Sequence, residues 1–146
     1  MWASAHSQDL GSVLAAGGTV ATGMRKCPDG STGGGCSTLS PDPADWSSQL
    51  AVTDCPSLTA AISAVRVDGA IPNREVQRWW NAGLQDEVRG CSAIVAATTA
   101  YQRSASAGSA ASGVIVKEAG HTAATDLLKA RTLIDRVGNA VNAVRH

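Results

Sequence analysis

The chain has 146 residues, the length of one ordinary domain, and 44% of them are hydrophobic, enough to bury a core without obligatory staples. Its 12 basic and 12 acidic residues cancel, which excludes the whole-molecule attraction that would make nucleic acid or an anionic membrane an obligatory partner. Only 3% of the residues are aromatic and none is phenylalanine, so the core is built from Ala, Val, Leu and Ile. Such side chains let helices approach closely but bury little apolar area each, and disulfides or association with other chains are expected to add stability.

Residues 1–24 read as a weakly anchored apolar arm or helix. Ser7 and Asp9 supply helix-starting side chains to a segment carrying Val13, Leu14, Ala16 and Val20, but Gly11, Gly17, Gly18 and Gly23 interrupt it. Val13 and Leu14 are candidates for ordering against a neighbouring subunit. The segment lacks the basic start of a signal peptide and is too short and too weakly apolar to span a membrane. Export would therefore use a leader already removed or another route.

Residues 25–43 read as a loop. The stretch CPDGSTGGGC places turn-forming residues between Cys27 and Cys36, and a bridge between these two cysteines would close it. Four cysteines allow three pairings; Cys27 with Cys36 and Cys55 with Cys91 is the favoured one, with four reduced, buried cysteines as the alternative. If oxidised, the cysteines point to an extracytoplasmic protein or a component of an assembled particle. Zinc is not expected, because close CxxC or HxxxH pairs are missing and His6, His121 and His146 are scattered. The glycine run at 33–35 lacks the Lys-Ser or Lys-Thr of a phosphate-binding loop, and no cofactor is expected.

Residues 44–146 read as a helical bundle, so the fold class is all-α with about four helices in a single domain. Asp42 with Pro43 at the first helical position predicts a short helix carrying Trp46, Leu50 and Val52. Asp54 and Pro56 restart the chain into an amphipathic helix of Leu58, Ala61, Ile62 and Val65, which Asp68 and Gly69 end. Asn73 then caps a long element to Tyr101, whose stripe runs through Val76, Trp80, Leu84, Val88, Cys91, Ile94 and Val95. Gly83 and Gly90 interrupt that stripe and leave open whether it is one helix or two. The following QRSASAGSAASG reads as a helix end running into a loop with a break at Gly113, and Val114–Val116 belongs to a helix or a packed loop. A last helix from about His121 to Val144 repeats Leu127, Ala130, Ile134, Val137, Val141 and Val144 at three and four residues. Leu128 and Leu133 widen its apolar face beyond what one neighbouring helix would cover.

Consecutive helical residues point about 100° apart, so Trp80 belongs to the stripe of the long helix and Trp79 to its edge. An indole at an edge either packs on a neighbouring helix of the same chain or forms part of a contact surface. Trp79, Leu128, Leu133, Val13 and Leu14 are the candidate interface residues.

No catalytic residue is expected, since the histidines have no nucleophile elbow around them and paired acids such as Asp42 with Asp45, or Asp86 with Glu87, fall where helix starts and exposed faces carry acids. The protein is therefore read as a non-enzymatic structural or interaction subunit of a homo-oligomer or larger assembly, of the kind found in a virion or cell-surface particle. Two alternatives come from other classes. One is a secreted module that binds an apolar small molecule in a cavity lined by Trp80, Leu84 and Ile134. The other is a helix-turn-helix DNA-binding protein presenting Arg74, Gln77, Arg78 and Asn81, opposed by the neutral charge and by Asp68, Glu75, Asp86 and Glu87.

Overall fold

The computed structural model describes residues 2–26, 38–65, 71–107 and 111–145. Among these the architecture is all-α: four helices, α1 (Trp2–Met24), α2 (Cys55–Val65), α3 (Arg74–Ala107) and α4 (Ala111–Arg145), joined early by a two-residue antiparallel ladder of β1 (Arg25–Lys26) and β2 (Thr38–Leu39). The expected Cys27–Cys36 bridge, the glycine run at 33–35, and the turn at Asp68 and Gly69 lie outside the described residues.

The two long helices form an antiparallel pair, and glycine sets how close they come. A methyl group at Gly83 would sit 2.9 Å from the Cγ1 of Ile134, and one at Gly90 would sit 2.8 Å from the Cγ of Leu127. Both glycines are buried, and α3 runs unbroken through them. Their place in the stripe therefore reflects close approach rather than a break: the packing they permit outweighs the roughly 1 kcal/mol of helix propensity each gives up. Asn73 caps α3 as its position implied, its Oδ1 accepting from the backbone N–H groups of Glu75 at 3.0 Å and Val76 at 3.2 Å.

Both long helices extend further than their periodicity indicated. Helix α3 continues past Tyr101 to Ala107, and α4 starts at Ala111, so that Gly113 is helical instead of a break and Val114–Val116 takes the helical one of its two expected placements. Runs of Ala, Ser and Gly carry no amphipathic signal, so periodicity alone does not mark them as helical.

Helix α1 is likewise anchored. Val13, Val20 and Met24 are fully buried in the common core with Leu58, Ile62, Leu84, Ile94 and Ile134. Two of its glycines lie where other elements press on it: a methyl group at Gly17 would meet Glu87 Oε1 at 2.8 Å, and one at Gly23 would meet Leu50 at 2.9 Å. Leu10 lies against Gly138 of α4, and residues 14–21 lie against 127–135, so α1 runs antiparallel to α4.

The segment expected to be a short helix after Pro43 is instead a 3-10 turn, Pro43–Asp45, followed by a π-helical turn, Leu50–Asp54, that runs directly into α2. Hydrogen bonds explain the difference. Asp42 accepts from the Ala44 N–H at 3.0 Å, the Ser40 hydroxyl donates to Asp45 at 2.6 Å, and the Trp46 indole N–H donates to the Ser40 carbonyl at 2.8 Å. These side chains fold residues 40–46 on themselves, and the Ser47 N–H then donates to the Gly23 carbonyl at 2.9 Å, which ties the segment to α1. Cys55 and Cys91 are paired at a Cα–Cα distance of 5.4 Å, joining the start of α2 to the middle of α3.

Among the described glycines, another backbone comes nearest at Gly120 in α4, where an added Cβ would overlap the carbonyl of Pro41. Gly120→Ala is expected to destabilise the fold by about 1–3 kcal/mol even though alanine is the better helix former. Gly138→Ala is the control: its methyl group would rest 3.7 Å from Leu10, an ordinary contact, and should stabilise by up to about 1 kcal/mol. Urea unfolding of the two variants beside the parent checks both signs.

Candidate functional site

The stripe of α3 that buries Trp80, Leu84, Cys91 and Ile94 steps by four, three or seven residues, and Glu87 falls on it, three beyond Leu84 and four before Cys91. Glu87 is accordingly only 5% exposed. Opposite it α1 presents Gly17, and the missing side chain leaves room for the carboxyl group. A partly open cleft of about 120 Å³ lies here between α1, α3 and α4. Its α1 side is Leu14, Gly17, Gly18 and Ala21; its α4 side is Leu127, Leu128, Arg131, Ile134 and Asp135; Leu39 of β2 contributes one edge, and Glu87 is the single α3 residue.

The carboxyl group has little to stabilise its charge. Its Oε2 is buried and, among the described residues, has no hydrogen-bond partner. Burial, and after it the neighbouring carboxylate of Asp86, pushes Glu87 up from its ordinary value of 4.5 to about 7. Asp86 is buried too, but it pairs with Arg89 one helical turn on. The two adjacent acids therefore occupy different environments: Asp86 is held by a cation, whereas Glu87 faces an apolar cleft. The expectation that both acids occupy an exposed face is not met: the three-and-four spacing from Leu84 to Glu87 to Cys91 puts Glu87 on the buried stripe, and that spacing is the signal the sequence carries.

The candidate interface residues separate in the structure. Leu14 and Leu128, 40% and 53% exposed, come together on the lining of the same cleft. Leu133 is half-buried with its Cβ facing Gly83 of α3, and Val13 is wholly enclosed by the chain's own core, so it offers no surface. Trp79 is half-buried against the core, with the guanidinium of Arg136 from α4 lying 5.9 Å from its ring centroid. It thus packs on a helix of its own chain.

The residues of the other two readings lie in the core and on the first turns of α3. Trp80, Leu84 and Ile134 are all buried core residues, and of the three only Ile134 touches the Glu87 cleft. Gln77 spends its carboxamide locally, accepting from the Ile71 N–H and donating to Asn81 Oδ1 at 2.8 Å, while Arg74 and Arg78 are exposed. A second cleft, of about 340 Å³ between α1 and residues 45–54, is lined by Thr19, Thr22, Asp45, Trp46, Gln49 and Asp54 among others. Among the described residues no three His, Cys, Asp or Glu side chains are grouped as a metal ion would require, and no helix is long and apolar enough to cross a membrane. Compared with known protein families, curated proteins and solved structures, the chain matches none.

Proposed function

We propose that the protein is a non-catalytic interaction subunit, a helical bundle that self-associates or joins a larger assembly through the α1–α4 face. The observation that carries this reading is that Leu14 and Leu128, large exposed aliphatic side chains from two helices distant in sequence, both line one cleft. Single exposed leucines are common on protein surfaces, whereas several grouped on rigid helices supply the kind of apolar centre around which an interface is built. The low aromatic content favours association for the same reason, since a core of small side chains leaves more of the stability to contacts between chains.

Native mass and sedimentation velocity over a range of concentrations test the proposal. The parent chain is expected to show a species heavier than the monomer that grows with concentration. Leu128→Glu, which places a charge at the proposed contact, is expected to shift the association midpoint upward by at least about tenfold. A strictly monomeric parent at the highest concentration reached, or association unaltered by Leu128→Glu, would overturn it.

A further inference from the structure

We propose that the cleft between α1, α3 and α4 is a binding site for a small primary ammonium ion with a short aliphatic body, its nitrogen seated on the Glu87 carboxylate. Three independent features converge on this ligand class. The buried Oε2 of Glu87 has no donor among the described residues, although a buried carboxyl oxygen ordinarily has one. The walls next to it are aliphatic or bare backbone, with Leu14, Gly17, Ala21 and Leu127 among them. The charges lining the cleft are Glu87, Asp135 and Arg131, an excess of one negative charge that an ammonium ion would balance and an anion would worsen.

Size narrows the ligand further. An apolar protein cavity of about 150 Å³ takes benzene. The cleft, at about 120 Å³, therefore suits a ligand of roughly five non-hydrogen atoms, such as n-butylammonium. An alcohol of the same length would fill the same apolar volume but bring no charge, and a charge-assisted hydrogen bond is about twice as strong as a neutral one.

Binding would move a proton. With Glu87 titrating at about 7, the ligand displaces the carboxyl proton to solvent and holds the ionised form. Affinity should therefore rise with pH as Glu87 ionises. The charged groups around it are Asp86 and Arg89 on α3 and Arg131 and Asp135 on α4, while the α1 residues of the lining carry no charge.

The test is an NMR titration of the full chain with n-butylammonium and, separately, with 1-butanol. Expected are saturable shifts at Gly17, Gly18 and Ala21 with the amine, an affinity several-fold higher at about pH 8 than at about pH 6, and weaker binding of the alcohol. Glu87→Gln should reduce amine affinity by at least about tenfold, the loss of one charge-assisted contact. Gly18→Leu provides a second variant that leaves Glu87 intact: a Cβ at Gly18 meets nothing within 4 Å, so a larger side chain can occlude the cleft without a clash at its root, and binding should be lost. Equal affinity for alcohol and amine, full affinity in either variant, or the absence of any saturable shift would overturn the proposal.

Discussion

The double substitution Cys55→Ala with Cys91→Ala is expected to cost about 3–4 kcal/mol of stability. The bridge spans 36 residues of chain, and closing a loop of that length removes conformational freedom from the unfolded state rather than adding contacts to the folded one. The location adds to the effect. Cys91 follows Gly90, against which Leu127 of α4 packs closely, and Cys55 is the first residue of α2 at the end of the π-helical turn. The covalent link thus fixes a short helix of 11 residues against the long pair, and such a helix gains little from its own hydrogen bonds. Thermal and urea unfolding of the double variant, compared with the parent under the same oxidising conditions, isolates this bridge. A lowering of Tm by roughly 10 °C is expected. A loss below about 1 kcal/mol would mean that Leu58, Ile62 and Val65, all buried, hold α2 without it.

The parts of this fold legible in the sequence are those governed by local periodicity and local capping. Leu127, Ile134, Val137 and Val141 lie on one helical face whatever surrounds them, and all four are buried. Asn73 is a cap because its side chain reaches amides only two and three residues away. The Cys55–Cys91 pairing was accessible through a related argument, since Cys91 is on the buried stripe and Cys55 at a helix start. What escaped sequence reading depends on a second element. Gly17, Gly23, Gly83 and Gly90 have the look of helix breakers, but Glu87, Leu50, Ile134 and Leu127 press against them. Val144 continues the heptad spacing of α4 and yet is 51% exposed.

Glu87 is the most consequential of these cases. Beside Asp86 it resembles an acidic pair on a wet surface, and charge alone supports that reading. Spacing supports the opposite one, since Trp80, Leu84, Glu87, Cys91 and Ile94 alternate by four and three. Spacing prevails because α1 crosses the stripe with a glycine at that point, so the carboxyl group is covered without being displaced. An ionisable residue held in this way is poor for stability and is a frequent mark of a binding site.

The second large effect expected is a loss of stability with rising pH that Glu87→Gln abolishes. In the unfolded chain Glu87 titrates near its ordinary value of 4.5, and in the folded chain at about 7, raised first by burial and then by Asp86. Below about pH 4.5 the carboxyl is neutral in both states and makes no difference to stability. Between these two values the unfolded chain binds fewer protons than the folded one, so stability falls as pH rises. Above about 7 the group is ionised in both states and the full penalty, about 3 kcal/mol, is in place. The difference between variant and parent isolates Glu87 and is the informative quantity. Glu87→Gln keeps the size and removes the charge, so the two proteins should have similar stability near pH 4.5 and diverge steadily to about pH 7, with the variant the more stable by about 3 kcal/mol beyond it. Urea midpoints measured at intervals of pH give that difference directly. A flat difference across the range would show that the folded protein ionises Glu87 as easily as the unfolded chain does, and that a donor or cation reaches the carboxyl group in solution.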